Sequence, residues 1–341
     1  MVQQVERNMQ RKQTRWLFLA SVIVCLFLVP LLTVRGQTVS LTIPLGLDRN
    51  MPIPRGNPIT PAKIALGKRL FNDYRLSSDK TMSCETCHDP QHAFSDQRMA
   101  ALGIYGRHGT RRVPRLINRG YGSAFFWDGR ASSLEEQVIQ PIANPNEMGM
   151  SIDEVVKRIK VDRSYRRDFN RAFKSQPTSQ NVAQSLASYV RSILSGNSAY
   201  DRYTNGDRTA LTAGQQRGLE LFRGKANCVA CHSGPNFTDE KFHNTGIGWH
   251  GDSFDDDGRF SVTHNEADRG AFKTPTLRDV ANAAPFTHQG RLSTLKDLMD
   301  FYDAGGNPSP NLDSQLHPLH LSEQEKKDVI DFLGALNGST N

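Results

Sequence analysis

Cys84-Glu-Thr-Cys87-His88 and Cys228-Val-Ala-Cys231-His232 are the two stretches on which the reading of this 341-residue chain turns. Each is a C-x-x-C-H run, the attachment pattern of a c-type haem. The two thiols add across the vinyl groups of the porphyrin, and two intervening residues give the reach. The next residue, His88 or His232, lies beneath the iron and supplies an axial nitrogen. The motifs therefore predict two covalently bound c-type haems. A redox C-x-x-C, a zinc site built from all four thiolates and a pair of disulfides are the rival readings. None of them requires a histidine directly after both pairs. The fifth cysteine, Cys25, lies in an apolar segment and reads as a buried apolar residue.

The segments that follow the motifs repeat. Pro114-Arg-Leu116 leads to Trp127-Asp-Gly129-Arg130-Ala-Ser-Ser133-Leu134, and Pro275-Thr-Leu277 leads to His288-Gln-Gly290-Arg291-Leu-Ser-Thr294-Leu295. Pro to Gly is 15 residues in both, and Gly-Arg-x-Ser-[Ser/Thr]-Leu follows in one register. This is an internal duplication of one haem-binding unit. The span from His232 to Pro275 is longer than its counterpart and rich in Gly and Asp, which predicts an irregular surface loop.

The chain reads as mainly α. Ser151-x-x-Glu154, Thr212-x-x-Gln215 and Ser322-x-x-Glu325 have the capping-box pattern ahead of apolar residues at helical spacing. Val155 with Ile159, and Val182, Leu186, Val190 and Ile193, keep that spacing. Leu70 and Phe71 before the first motif resemble Leu219 and Phe222 before the second. No run of alternating residues calls for an extended sheet. Gly196 to Gly214, with Asn205-Gly206, reads as the linker between two tandem cytochrome c-like domains, 44–200 and 207–338. The 37% hydrophobic content is modest and leaves room for a prosthetic group in each interior.

The formal charge is +7. Residues 1–36 hold Arg7, Arg11, Lys12, Arg15 and Arg35 against Glu6 alone, so most of the excess is local. No Lys/Arg run elsewhere makes a phosphate-binding stripe, which argues against a nucleic-acid partner. Trp16 to Val34 is a 19-residue span without charge, close to the ~20 residues that cross a bilayer. The cations before it keep the N-terminus inside and export the rest. The segment is read as an uncleaved signal anchor, with a cleaved signal peptide as the alternative. Either reading puts the remainder in the periplasm, tethered or soluble.

Several further stretches carry a resemblance. They are Cys84–Pro90 with Ala93-Phe94-Ser95-Asp96, Phe126-Trp127-Asp128-Gly129-Arg130, Pro145-Asn-Glu147-Met-Gly149, Cys228–Gly234 and Phe272-Lys-Thr-Pro275-Thr-Leu-Arg278. Over residues 44–338 the sequence resembles the bacterial di-haem cytochrome c peroxidase family, which includes MauG-like tryptophan-modifying enzymes. The resemblance implies that the N-terminal haem reacts with hydrogen peroxide and that the C-terminal haem transfers electrons. It implies that Glu147 is the active-site carboxylate that moves a proton between the peroxide oxygens. Gln137 falls at the family's distal glutamine, and Trp127 at its tryptophan between the haems.

Departures from the family are informative. The position of a distal histidine on the first haem falls on Ile104, and His108, four residues on, reads as a surface-loop residue. The first iron is then open at rest, as in the MauG-like branch. The sixth ligand of the second haem falls on Tyr302, with Met299 one turn earlier as runner-up. A tyrosine ligand is harder than methionine and lowers the haem potential. The family's interdomain calcium uses an asparagine whose position is Arg112 here. A guanidinium repels Ca²⁺, which argues against a retained calcium and leaves Arg112 to act on haem propionates instead.

Three functions fit these features. The first is a peroxidase drawing electrons from a small exported redox protein, a cytochrome c or a cupredoxin. The second is a MauG-like oxidase acting on a protein or small-molecule donor. The third is a pure electron carrier, against which Glu147 and Gln137 beside an open iron speak. A homodimer is the assembly left open.

Overall fold

The computed structural model describes residues 41–340. The apolar span Trp16 to Val34 and its basic flank lie outside these residues. Among the described residues no helix is long and apolar enough to cross a membrane. The helices are α1 (Pro61–Phe71), α2 (Leu134–Gln137), α3 (Gln140–Ala143), α4 (Ile152–Lys160), α5 (Arg163–Phe173) and α6 (Ser179–Ser192), followed by α7 (Ala199–Thr204), α8 (Ala213–Arg223), α9 (Phe260–Thr263), α10 (Leu295–Asp303) and α11 (Glu323–Gly334). Four short strands accompany them: β1 (Ser195–Gly196), β2 (Phe242–Asn244), β3 (Ala271–Lys273) and β4 (Ser339–Thr340). β1 pairs antiparallel with β4, and β2 with β3. The chain is thus mainly helical with few strands.

Helix starts follow their caps. Thr212 and Ser322 make reciprocal capping boxes with Gln215 and Glu325. Ser151 accepts from the Glu154 amide without the return bond. Thr294 with Asp297 and Ser198 with Asp201 form two further boxes. An N-terminal cap oxygen satisfies an amide that the helix itself leaves unpaired.

The second of these boxes changes the reading of the linker. Within Gly196 to Gly214 the chain forms α7, whose Asp201 is 1% exposed and pairs with Arg278, also fully buried, at 2.5 Å. The loop after His232 is largely irregular but carries β2, α9 and β3.

Two helix crossings organise the molecule. α1 crosses α6 at Gly67, where an added Cβ would lie 2.0 Å from the Ser185 carbonyl oxygen. α8 crosses α11 at Gly218, where a Cβ would lie 1.9 Å from the Asp328 carbonyl oxygen. Only glycine lets backbones approach so closely. Each crossing has its own core. Leu66, Leu70, Phe71, Tyr165, Phe169, Leu186 and Val190 fill the first. Leu219, Phe222, Phe237, Phe332, Leu333 and Leu336 fill the second, with Phe222 and Phe332 edge to face at 5.3 Å. Each fully buried Leu or Phe contributes about 1.5–3 kcal/mol of burial.

Some local features recur at matching positions of the sequence repeat. Phe125 bridges to Ala131 and Phe286 to Leu292, in the same register of the repeat. Asn118 and Asp279 are both left-handed, and each begins a short 3₁₀ turn. Polar contacts join the halves. Arg111 bonds Asp128 at 2.5 Å and Asp256 at 2.6 Å, Arg119 pairs with Glu240 at 2.7 Å, and the Lys273 amide donates to the Trp127 carbonyl at 2.8 Å.

Candidate functional site

Both C-x-x-C-H motifs open with a single 3₁₀ turn, Cys84–Thr86 and Cys228–Ala230. In each, the histidine amide donates to the carbonyl of the first cysteine, 2.9 Å at His88 and 2.8 Å at His232. The turn therefore presents both sulfurs and the imidazole from one short loop. The imidazoles are held alike. His88 Nδ1–H donates to the Phe94 carbonyl at 2.9 Å, and His232 Nδ1–H to the Phe237 carbonyl at 2.9 Å. With Nδ1 so engaged, Nε2 carries the free lone pair, the arrangement typical of a ligating histidine. Burial depresses both imidazoles to about 4, so both are neutral at physiological pH.

The four cysteines are free. Burial pushes the thiols of Cys84, Cys87 and Cys228 up to about 12, far from the low values of redox-active cysteines. Among the described residues no group of three or more His, Cys, Asp or Glu side chains is placed to hold a metal ion. The four-thiolate zinc reading thus has no donor set.

A cavity of about 250 Å³ opens beside the second motif. Its wall includes Cys228, Cys231 and His232 together with Met299 and Tyr302. It extends to Trp127, Phe126 and Gln137 of the first half. Met299 is 4% exposed and packs with Ala226, Leu321 and Val329, so its side chain is already engaged in the core. Tyr302 takes no part in that cluster, and burial raises its phenol to about 12. Orphaned polar atoms, His288 Nε2 and Arg112 Nε, border the same cavity. Apolar walls, a neutral imidazole with its lone pair free and unpaired donors are what a porphyrin with carboxylate side chains requires.

Trp127 sits between the halves. Its indole N–H donates to the Arg112 carbonyl at 2.9 Å, and its ring meets His288 edge-on at 6.4 Å. His288 stacks on Phe272 at 3.5 Å. His243, also on the cavity wall, is held between Asp313 at 2.6 Å and Asp239 at 2.9 Å.

Glu147 is carried by the turn between α3 and α4. The Glu147 amide donates to the Asn144 carbonyl at 3.0 Å, and the Gly149 amide to the same oxygen at 2.9 Å. The Asn144 side chain donates to Glu147 Oε1 at 2.7 Å. Burial raises the carboxyl above the ordinary glutamate range, the Asn144 bond opposes this, and Arg130 opposes it more weakly. The charge of Glu147 acts weakly on the thiols of both Cys84 and Cys87, so the carboxyl lies near the first motif. A second cavity of about 390 Å³, lined by Arg130, Gln140, Asn144 and Glu147 among others, leads to it from the surface.

Ile104 is 2% exposed, and its amide donates to the Glu147 carbonyl at 2.9 Å. The loop that carries it is clamped to the Glu147 turn by Arg107, which donates to the Pro145 carbonyl at 2.8 Å. His108 is exposed. Gln137 is 7% exposed, on α2, and lines the cavity beside the second motif. The structure thus gathers Glu147 near Cys84 and Cys87, and Tyr302 near Cys228 and Cys231, with Trp127 between the halves. Asn144, Arg115 and His288 were not picked out by the sequence as functional. The partners of Arg115 and His288 lie in distant segments, and Asn144 bonds Glu147 three residues on only through the local turn.

Comparison with known proteins identifies the family. A model of the di-haem cytochrome c peroxidase family matches residues 61–209. The methylamine utilization protein MauG of Methylorubrum extorquens strain AM1 is 42% identical over 289 residues, covering 84% of this chain and 81% of that protein. The cytochrome-c peroxidase IdrP1 of Pseudomonas sp. strain SCT is 36% identical over 328 residues, covering 87% and 86%. The crystal structure of a MauG-like protein associated with microbial copper homeostasis superposes with a TM-score of 0.79 at 32% identity, over 86% of this chain and 95% of that one. The family implies c-type haems, peroxide as substrate and a cytochrome as electron donor. On its fold, its motifs and these relatives, the chain belongs to the di-haem cytochrome c peroxidase family and is a peroxidase-type oxidoreductase.

Proposed function

We propose that this protein reduces hydrogen peroxide to water with two covalent c-type haems, drawing electrons from a small exported redox protein, a cytochrome c or a cupredoxin. Cys84, Cys87 and His88 hold the peroxidatic haem in domain 44–200. Cys228, Cys231 and His232 hold the electron-transfer haem in domain 207–338, with Tyr302 as its sixth ligand and Met299 as the runner-up. The first haem, when bound, supplies an iron to take peroxide and electrons to split the O–O bond. Glu147 takes the proton from the inner peroxide oxygen and returns it to the outer one, a transfer that needs a carboxylate at hydrogen-bond reach. Asn144 fixes Oε1 and leaves Oε2 for the substrate. Gln137 orients peroxide or water. Trp127 offers an electron path between the halves.

The observation that carries this reading is the raised, part-buried carboxyl of Glu147, on a cavity wall and near enough to the first motif for its charge to act on Cys84 and Cys87. A pure electron carrier has no use for it. Ile104 in the loop above, with His108 exposed, supports a first site open at rest and an enzyme that needs no reductive activation. Arg112 bonds the Asp96 and Ala283 carbonyls, which supports a cation-free junction in place of calcium. The site is assigned to the periplasm, tethered if the apolar N-terminal span is retained.

A MauG-like oxidase acting on a protein or small-molecule donor is the second reading, favoured by a tyrosine at 302 and the 42% identity to MauG. The test is Glu147→Gln in the loaded protein. Two haems per chain should survive in a pyridine haem assay, while the stopped-flow reaction of the ferric enzyme with peroxide falls by about 10²–10⁴. Near-normal peroxide reaction in this variant removes Glu147 from the chemistry. Turnover of a reduced donor cytochrome then separates peroxidase from oxidase.

A further inference from the structure

We propose that Arg112, Arg115 and His288 form a carboxylate-binding cradle between the two halves, and that its ligand is a propionate of the haem attached at Cys228 and Cys231. The inference rests on the haem reading above and adds to it a site for the cofactor's acidic side chains.

All three residues line the cavity that holds Cys228, Cys231 and His232. Arg112 is 4% exposed. One of its terminal nitrogens donates to the Asp96 carbonyl of the first half at 3.0 Å and to the Ala283 carbonyl of the second at 2.9 Å, and its Nε has no partner. Arg115 reaches across likewise. Its two terminal nitrogens donate to the carbonyls of Arg278, at 2.5 Å, and Thr276. Among the described residues, neither guanidinium touches a carboxylate. Asp96 and Asp279 act on them only through space, and both are committed elsewhere: Asp96 to Arg98, Asp279 to the Gly338 amide. His288 is 4% exposed with Nε2 unpartnered, and its ring is fixed between Phe272 and Trp127.

The other cations on this wall are neutralised. Arg119 and Lys273 share Glu240, and His243 has Asp313 and Asp239. Carbonyl oxygens accept from terminal nitrogens of Arg112 and Arg115 but leave Arg112 Nε unpaired and two buried positive charges uncompensated. A buried charge without a counter-ion is strongly unfavourable. A carboxylate supplies the missing charge together with oxygens that suit a guanidinium and an imidazole N–H. The cofactor that the family implies brings such carboxylates to this cavity. Because each arginine is anchored in the opposite half as well as its own, the bound propionate locks the second haem to both halves, beside Trp127.

The test uses the loaded protein. In Arg112→Gln and Arg115→Gln, two haems per chain should remain by pyridine assay. Loss of the cation favours the ferric state, so the midpoint potential of the second haem should fall while that of the first stays. Arg115→Lys, which keeps the charge, should restore most of the shift. Arg223→Gln, an exposed cation on α8, should move neither potential. Where a variant does not accumulate, the wild-type protein gives the answer. With ¹³C-labelled haem carboxylates, the redox difference infrared spectrum should show an ionised propionate responding to the second haem. Unchanged potentials in both Gln variants, or a protonated propionate in the wild type, overturns the cradle. Loss of covalent haem from the wild type instead overturns the haem reading on which it stands.

Discussion

Asn144→Ala should move the acid limb of peroxide reactivity to higher pH. In the structure the Asn144 amide donates to Glu147 Oε1 at 2.7 Å and holds the carboxyl down against burial, the larger influence, which pushes it up. A hydrogen bond to a charged group is worth about 1.5–3 kcal/mol. Part of that is kept when the carboxyl is protonated and part is replaced by water, so about 1.4 kcal/mol is a reasonable net difference, equivalent to about one pKa unit. In the proposed role Glu147 acts as a base, so its active form is the carboxylate. A raised pKa therefore removes activity on the acid side and leaves the alkaline plateau nearly intact. The turn itself should survive, because its amide bonds run to the Asn144 and Glu147 backbone carbonyls and not to the deleted side chain.

The assay is the second-order rate of the ferric enzyme with peroxide, followed by stopped flow across pH. The expected result is a limb displaced upward by about one unit, with a plateau within a few-fold of wild type. An unmoved limb would refute the claim that Asn144 tunes Glu147. A plateau lowered uniformly with no shift would mean that Asn144 shapes the turn and has no part in the ionisation.

Two further predictions concern the frame. At Gly218, valine places its Cβ against the Asp328 carbonyl and forces α8 from α11, so urea unfolding of the loaded protein should show a loss of about 1–3 kcal/mol or more. Gly334→Ala, on the same α11 with open space around it, should be neutral or slightly stabilising. Asp201→Ala strands the buried Arg278 charge and removes a capping oxygen of α7, so stability should fall by about 3–5 kcal/mol in the same assay. A loss under 1 kcal/mol would mean that the Pro235 and Gly46 carbonyls alone satisfy Arg278.

What the sequence could disclose followed from how local each signal is. C-x-x-C-H is legible because thiols and imidazole must come from one turn. The duplication is legible because Gly129 and Gly290 punctuate equal spacings. The start of α7 was missed although Ser198 and Asp201 stand at capping distance, because Asn205-Gly206 and the surrounding polar residues dominate the local pattern. Arg278 gave no warning that it would be buried, since its partners Asp201, Gly46 and Pro235 are far off along the chain. Arg115 and His288 were illegible for the same reason. The ionisation of Glu147 is a further step removed, because it depends on burial that only the assembled turn creates.

The sequence repeat also bears on why the two halves would do different chemistry in the proposed function. In the common register, α2 and α10 both start after a hydroxyl cap, Ser133 or Thr294, and both send a residue to the cavity wall, Gln137 or Leu298. One turn further, the halves part. The first has Val138 and Pro141 where the second has Met299 and Tyr302. Pro141 has no amide to continue the helix and no donor atom for a metal, so α2 stops after Gln137 and the chain turns off to deliver Asn144 and Glu147. In the second half α10 continues for nine residues and carries Tyr302 to the wall of the cavity that His232 also lines. The proposed open first site and closed second site would both follow from this one divergence. Tyr302→Phe keeps the ring and deletes the only atom able to ligate, so the packing of α10 should hold. The second haem's optical and paramagnetic spectra should change, and those of the first should not. Met299→Leu should leave both unchanged, because Met299 is spent on Ala226, Leu321 and Val329. If Tyr302→Phe is silent and Met299→Leu alters the second haem, the ligand is the thioether and the Tyr302 assignment fails.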